Sequence, residues 1–454
     1  MRKYEGCISD MSGPIFLVDD ENFNYLLSHL NNKISNKILK LLNPTIHLQI
    51  KDLKRIPIKI ECLEKIKNEI DNLTQQNINI AKEEWDSRET SWDFEKLFIA
   101  SGSKISDSYK NYCNHWRDNF VQMHKNEEEL NKLFIDIYEL NNEMDEKVPF
   151  EDITLLKNET KITEILTSPS IIDDTEEREK TSEGYLYNRG VNLEFNKEEI
   201  IKQFLSYAVG CIMGRYSIDK NGLIMANSDD VLISSDSLLL IKDREGNIRH
   251  EIENPRFLPD DFGIIPITSE NVFANDIVTK VFDFVKALYG EENFEENINF
   301  ICEALGKKEN DSCENILRNY FIKDFYTDHL KRYQKRPIYW LFSSGKKNGF
   351  QVLVYLHRYQ DDTMGRLRAE YLLPYQEKME NLKDHYERIV EDESTVARDR
   401  KTYEKSLKEL NGMLLEIKNF ANDVKHIVEQ RISIDLDDGV KVNYEKFGSV
   451  LKKI

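Results

Sequence analysis

A segment of mixed basic and aromatic residues, 331–372, carries the side chains best suited to bind a polyanion. It holds nine Lys or Arg residues against three acids, so its local charge is +6 within a chain of formal net charge −19. Aromatic residues are interleaved with the bases along the whole segment. Ammonium and guanidinium groups bind phosphate oxygens. The pattern therefore predicts a local binding site for a polyanion.

The same segment predicts a β-hairpin with a basic tip. Residues 337–342 and 350–357 are β-rich runs, and between them Lys346 and Lys347 precede the turn-forming pair Asn348 and Gly349. A helix should follow from about Asp361. The structural alternative is a buried hairpin whose lysines are solvated at the turn, and the pattern leaves both interpretations open.

Two other motifs contain residues that could form chemical sites. Asp435, Asp437 and Asp438 precede Gly439, but an EF-hand loop would need oxygen ligands where Ile434 and Leu436 stand, so an Asp-Gly turn is favoured. Residues 43–46 are similar to the Asn-Pro-Pro-Tyr motif of amino-methyltransferases, yet Thr45 and Ile46 replace its second proline and its aromatic residue.

No catalytic residue and no metal ligand is predicted. The chain has no G-x-G-x-x-G, no G-x-S-x-G, no H-E-x-x-H and no Cys/His nucleophile pair. Its six cysteines show no zinc spacing and indicate a reduced, cytoplasmic protein. No apolar run reaches the ~18 residues that a membrane-spanning helix needs, so no membrane contact is expected. The net charge of −19 confines any nucleic-acid contact to a local patch.

The patterning predicts a mainly α fold with smaller β elements, of the α+β class. Its parts are a helical bundle region, the basic β-hairpin and a C-terminal long helical hairpin. The expected divisions are residues 1–60, a helical region 61–150, an acidic linker 151–190, an α+β domain 191–365 with the hairpin at 336–357, and a helical hairpin with a tail at 366–454.

Individual elements follow from periodicity and from turn residues. Strands are expected at 13–18, 45–50 and 56–60, and strand-and-turn structure at 222–269. Helices are expected at 23–42, 61–82, 108–142, from 196 onward, and at 271–289, 292–305, 312–333, 366–391 and 395–429. The run 172–183, with six acids, is predicted to be solvated and mobile.

Several runs of the chain resemble one protein family, and they follow one another in the same order as in that family. They are residues 42–46 with 49–57, Trp85 with 90–94, 127–131, 206–211, 214–217, 335–359, 366–368 and 434–444. Together they resemble the PglX-type adenine-specific DNA methyltransferases of BREX phage-defence systems. The run Arg336 to Phe350 is the most specific of these matches.

The resemblance covers the C-terminal half of the family's members. It implies that the chain takes part in adenine-specific DNA methylation. Family members carry a domain that binds S-adenosylmethionine and bears the Asn-Pro-Pro-Tyr motif, and no such domain is found in this sequence. The cofactor is therefore expected in a missing domain or in a catalytic partner, and none in this chain. Residues 1–60 are expected to be the end of a target-recognition domain.

The implied partners are double-stranded DNA, a catalytic methyltransferase domain or subunit, and other BREX proteins. The predicted DNA-binding residues are basic side chains that would contact phosphates: Lys335, Arg336, Lys346, Lys347, Arg358, Arg366, Arg368, and more weakly Lys51, Lys54 and Arg55. An alternative from another class of function is a non-catalytic interaction scaffold for BREX proteins, or a truncated remnant.

Overall fold

The protein is described from a computed structural model, which describes residues 18–45, 49–59, 66–165, 180–181, 184–185, 191–227 and 229–454. The chain divides into two compact units. The first unit comprises Met1–Arg88 with Lys110–Asn196, and the second comprises Glu89–Tyr109 with Lys197–Ile454. Long helices with small antiparallel sheets confirm the predicted mainly α fold class. The five divisions expected from the sequence stay a prediction.

The first unit is built on helices. They are α1 (Asp20–Asn31), α2 (Lys33–Leu42), α3 (Ile50–Leu53), α4 (Lys67–Asp86) and most of α5 (Ile105–Ile137). Two antiparallel pairs follow: β1 (Thr160–Ile165) with β4 (Val191–Phe195), and β2 (Lys180–Thr181) with β3 (Gly184–Tyr185). The core joins Tyr25, Ile34, Ile70 and Phe134, so apolar stripes on α1, α2, α4 and α5 form one cluster.

The expected single helix 23–42 is wrong, because the chain breaks at Asn32. The backbone of Asn32 is extended, and its side chain accepts a hydrogen bond from the N–H of Ser35, which caps α2. The expected strand 45–50 is not formed at Ile50, which begins α3, because Asp52 accepts from the N–H of Gln49. Residues 56–59 form no strand either.

Parts of the N-terminal and linker predictions lie outside the described residues. This holds for residues 13–17 of the first predicted strand, for residues 46–48, and for residue 60. Within the acidic run 172–183, only Lys180 and Thr181 are described.

The second unit begins with a helix and a small sheet, as expected. Its elements are α6 (Lys197–Ile212), β5 (Val231–Ser235), β6 (Leu238–Lys242), β7 (Ile248–Glu253), β8 (Ile264–Ile267), α7 (Ile277–Tyr289), α8 (Phe294–Ala304), α9 (Cys313–Lys323) and α10 (Phe325–Arg332). Strands β5, β6 and β7 form an antiparallel sheet in chain order. The expected helix 312–333 is two helices, because the chain bends at Asp324.

The rest of the second unit holds the predicted hairpin and helices. Its elements are β9 (Tyr339–Ser343), β10 (Gln351–Tyr355), α11 (Thr363–Arg366), a π-helical turn (Leu367–Leu372), α12 (Leu373–Glu391), α13 (Ala397–Gln430) and α14 (Gly439–Glu445). The π turn ends two residues before Pro374, whose missing N–H and bulky ring are incompatible with a regular α-helical turn.

The predicted C-terminal helical hairpin is confirmed. An ion pair joins Lys418 to Glu380 at 3.0 Å, and the rings of Tyr403 and Tyr386 lie 5.3 Å apart, so the two helices α12 and α13 run antiparallel. They share one apolar core with the hairpin strands and the C-terminal residues. Among the described residues, no helix is long and apolar enough to span a bilayer.

Candidate nucleic-acid interface

The predicted hairpin forms, and its strands lie in the core of the second unit. Strand β10 pairs with β9 in antiparallel register, with Val352 opposite Phe342, and pairs with β8 on its other side. Every residue of both hairpin strands is buried. The hairpin is therefore not a free ribbon: its body packs in the core and its lysines are solvated, which is the geometry of the structural alternative. Only its tip can meet a partner.

The aromatic residues of the segment build this core. Tyr339, Trp340, Phe342, Phe350 and Tyr355 are each at most 2% exposed. Rings buried to this extent cannot reach a nucleic acid. The aromatic residues are therefore interleaved with the bases because they pack in the core. The basic residues alone remain as candidates for contact with DNA.

The hairpin tip is held against helix α13. The backbone N–H of Lys347 donates to both carboxylate oxygens of Glu416, with N···O distances of 3.1 and 3.0 Å. Within the turn, Ser344 and Phe350 exchange hydrogen bonds, and Asn348 adopts a positive φ of 51°. These contacts fix the direction in which the tip points.

Two exposed lysines stand at this tip. Neither Lys346 nor Lys347 forms an ion pair with any described residue, and both are exposed. The aliphatic stem of Lys347 passes over Gly412, where an added Cβ would come within 2.7 Å of its Cε atom. The Nζ atom also lies over Gly412, 3.0 Å from the same added Cβ, and the residue as a whole remains exposed. The tip thus presents two exposed lysines without an ion pair to a described residue, beside the Glu416 carboxylate that supports the turn.

A third lysine at the tip was missed by the sequence analysis. Leu451 forms an antiparallel bridge with Phe342, and the N–H of Lys452 donates to the carbonyl of Leu341 at 2.8 Å. The Nζ of Lys452 then lies 3.5 Å from Asn348 Oδ1. No local pattern could have indicated this contact, because it joins the chain end to a hairpin that is distant in sequence.

Lys335 and Arg336 form a second exposed basic group, in the turn that follows α10. Lys335 has a φ of 62°, and its N–H donates to the carbonyl of Leu330 at 2.8 Å, which ends the helix in a left-handed turn. Both side chains are exposed, and neither forms an ion pair with a described residue. They remain available to bind an anion.

Arg358 occupies a different environment. It is 7% exposed, and its guanidinium donates to the carbonyls of Met213, Asp260 and Asp261. Burial lowers the pKa of this guanidinium. With its donors directed at backbone oxygens, Arg358 closes the loop before β8 and does not reach the surface. The predicted phosphate contact at Arg358 is therefore excluded from the candidate interface.

The charge of Arg366 is already compensated. It pairs with Asp362 at 2.8 Å and with Glu370 at 3.3 Å, and its guanidinium lies 4.0 Å from the ring centre of Phe262. Arg368 is half-buried, and its Nε has no hydrogen-bond partner among the described residues. These two residues are weaker candidates than the tip lysines.

Lys51, Lys54 and Arg55 belong to the first unit, at α3 and the turn after it. All three side chains are exposed. The neighbouring Asn43 is engaged locally: its Nδ2 donates to Asp52, and its Oδ1 accepts from Thr45. The side chain of Asn43 is therefore not arranged to hold a target base, which agrees with the absence of the full Asn-Pro-Pro-Tyr motif.

The described residues do not form the parallel sheet of a Rossmann-like domain. A Rossmann-like domain holds its ligand at the carboxyl ends of parallel strands. In the described parts of the chain every strand pair is antiparallel, and no sheet exceeds three strands. No methyl-transfer step can be derived from these residues.

Comparison with known proteins identifies relatives. The chain is 34% identical to the adenine-specific methyltransferase BrxX of Escherichia coli O9:H4 (strain HS), over 99% of the chain and 35% of that protein. It is 31% identical to the adenine-specific methyltransferase PglX of Lacticaseibacillus casei (strain Zhang), over 97% of the chain and 32% of that protein. The chain thus spans about a third of the length of these relatives. No protein-family model matches it.

Proposed function

Starting from its homology to BrxX and PglX, we propose that this chain is the DNA-recognition and clamping portion of a BREX-type adenine-specific methyltransferase. In this role it binds the backbone of double-stranded DNA and carries no methyl-transfer chemistry of its own. A catalytic domain or subunit binds S-adenosylmethionine, extrudes the target adenine and methylates its N6. The process served is phage defence.

The hairpin tip is the observation that supports this role most directly. Lys346, Lys347 and Lys452 meet at a turn that α13 holds in place, in a chain whose net charge is −19. Lysines at a fixed position bind phosphates without the entropy loss of ordering a flexible loop. The net negative charge of the rest of the chain repels DNA, so binding is confined to local basic groups, of which this tip is the best supported.

Lys335 and Arg336 extend the proposed contact, and Lys51, Lys54 and Arg55 add weaker ones. Contacts of this kind set the position and orientation of DNA and do not read its sequence. Sequence reading is assigned to the catalytic partner and to the rest of the target-recognition domain. Arg366 and Arg368 contribute less, because Arg366 is paired with acids and Arg368 is half-buried.

The test is a gel-shift titration of the purified chain with a short DNA duplex at about 50 mM salt, where phosphate contacts are strong. It is run alone and with the portion of E. coli BrxX that lies outside the region shared with this chain. Retardation by the chain alone, or only with the added portion, supports the proposal. No retardation in either mixture overturns it. Tritium transfer from S-adenosylmethionine to the duplex then reports whether the pair is catalytic.

The scaffold alternative is favoured by one observation of its own. The outer face of the β5–β7 sheet exposes Val231, Ile233 and Ile248, at 49%, 47% and 54%. The strand registers place them on one face of the sheet. Lys242 lies between Val231 and Ile248 on this face, and an exposed apolar patch bordered by charged residues is typical of protein–protein contact. Replacing Val231 and Ile248 by Ser would abolish a scaffold interaction and leave DNA binding unchanged.

A further inference from the structure

Trp92 is almost completely exposed. Its side chain is 95% accessible, whereas Trp116 and Trp340 are 1% and 2% accessible. Tryptophan is the largest apolar side chain, and proteins usually cover most of it. An indole left in water at this level indicates a contact surface for a partner.

The loop that carries Trp92 is firmly anchored. Ser91 and Phe94, on either side, are 7% and 3% exposed. The ring of Phe94 packs edge-on against Tyr216 at 5.2 Å and against Tyr207 at 6.0 Å. The N–H of Asp93 donates to Ser91 Oγ, which closes the turn. The indole is therefore presented by a fixed turn and does not need a rearrangement to be exposed.

This loop is joined to the basic turn after α10. Glu89 Oε1 accepts a hydrogen bond from Ser206 Oγ at 2.5 Å and lies 3.6 Å from Arg332 Nη1. Arg332 ends α10, three residues before the exposed Lys335 and four before Arg336. Trp92 is three residues from Glu89 and Lys335 is three residues from Arg332, so the Cα atoms of Trp92 and Lys335 lie within roughly 35 Å of each other. That distance is about one helical turn of duplex DNA.

The charges beside Trp92 select the kind of contact. Asp93 and Glu95 are exposed, and the Glu95 carboxylate accepts a hydrogen bond from Asn221 at 3.0 Å. Carboxylates repel phosphates, so this loop does not bind the DNA backbone. An indole offers a flat π-face, and every nucleobase has a face that can stack on it. In a complex that holds DNA at Lys335 and Arg336, the indole is therefore suited to contact a base that has left the helical stack.

We propose that Trp92 stacks on an unpaired or extruded base of DNA whose backbone is bound by Lys335 and Arg336. The inference rests on the proposed function, because it requires DNA at the second unit. Extrusion of a base costs unstacking free energy. A fixed indole that stacks on the extruded base offsets part of this cost by replacing the stacking partners that the base has lost.

The experiment uses the full chain with Trp85→Phe, because Trp85 is 58% exposed and Trp116 and Trp340 are buried. Trp92 is then the only strongly exposed tryptophan among these. Two duplexes of identical sequence are titrated at low salt, one intact and one with a single unpaired adenine. Trp92 emission and its quenching by acrylamide are recorded. Trp92→Ala and Trp92→Phe are measured by anisotropy of labelled DNA.

Stacking predicts that the unpaired adenine quenches Trp92 emission and shields it from acrylamide. It also predicts that Trp92→Ala loses about five- to a hundredfold in affinity for the bulged duplex. Affinity for the intact duplex should stay within about twofold of the parent, and Trp92→Phe should recover part of the loss. An indole as accessible to acrylamide with bulged DNA as without it overturns the inference, even if both duplexes bind. Failure of both duplexes to bind, with and without the added portion of BrxX, overturns the proposed function and the inference together.

Discussion

The backbone N–H of Lys347 donates to the carboxylate of Glu416, so an acidic residue of α13 holds the tip of a basic hairpin. The ammonium group of Lys347 is directed elsewhere, over Gly412. Glu416 therefore positions the loop without forming an ion pair with the lysine that the loop presents. The proposed phosphate contacts require that Glu416 holds the backbone of the loop while the ammonium group of Lys347 stays out of an ion pair with it.

Replacing Glu416 by Ala should loosen the hairpin tip. The variant loses two hydrogen bonds to a charged acceptor at a half-exposed site, which costs about 1–2 kcal/mol in unfolding free energy. Glu416→Gln keeps an acceptor oxygen and serves as the control. Hydrogen exchange at the Lys347 amide is the measurement. Equal protection in parent and Ala variant would contradict the proposed support.

Two glycines at the contact between the tip and α13 should respond differently to alanine. A Cβ at Gly349 would lie 3.0 Å from the carbonyl oxygen of Met413, so Gly349→Ala should cost about 1–3 kcal/mol. A Cβ at Gly412 would meet only the flexible end of Lys347, and alanine raises helix propensity by about 1 kcal/mol. Urea unfolding should show Gly412→Ala at least as stable as the parent. Equal losses in both variants would show that the tip is not packed on α13.

Arg358 should contribute to the stability of the fold and not to DNA binding. Replacement by Met leaves the carbonyls of Met213, Asp260 and Asp261 without their donor, and the unfolding free energy should fall by about 2–4 kcal/mol. The folded variant should bind a duplex with unchanged salt dependence. If the variant had normal stability and weakened DNA binding, Arg358 would be shown to contribute to the DNA interface.

The buried imidazole of His329 should make the unfolding free energy of the protein fall as the pH falls. Burial lowers the pKa of His329 to about 3, and its Nε2 accepts the N–H groups of Ile338 and Tyr339 at the start of the hairpin. The unfolded chain has the higher pKa, near 6.5, and binds more protons below it. The stability that the neutral imidazole contributes is therefore complete above pH 6.5 and is lost progressively as the pH falls toward 3.

The measurement is urea unfolding between pH 7 and pH 5, with His329→Gln as the control because it cannot titrate there. The parent should lose up to about 1.4 kcal/mol per pH unit more than the variant. His357, whose pKa burial lowers to about 4, contributes the same trend to both proteins. Parallel pH profiles for parent and variant would show that His329 is not held neutral in the fold.

Local patterns predicted much of the fold. The hairpin, the antiparallel pair of α12 and α13, and the β5–β7 region follow from periodicity and turn residues. The breaks at Asn32 and Asp324 were missed, because apolar periodicity continues across both sites while the backbone bends. A pattern records which residues are apolar and does not record where a cap interrupts the helix.

The candidate site was less predictable. Exposure of Lys346 and Lys347 follows from the turn, but the burial of Arg358 depends on carbonyls of residues 213, 260 and 261. Lys452 joins the tip only through the pairing of Leu451 with Phe342. Contacts between residues far apart in the chain decide which charges remain free, and a single sequence does not contain that information.

The most direct test of the proposed role is the salt dependence of duplex binding by Lys346→Glu/Lys347→Glu. The control is Arg398→Glu/Lys401→Glu, which makes the same change of charge at exposed positions of α13. Lys401 lies about 22 Å along that helix from Glu416. Affinity is measured by anisotropy between about 50 and 200 mM salt.

If the tip binds phosphates, its charge-reversed variant should lose affinity, and its slope of log K against log salt should be shallower by about two. The control should keep the parent slope. Equal slopes and affinities for the parent and both variants would contradict the proposal that the hairpin tip holds DNA.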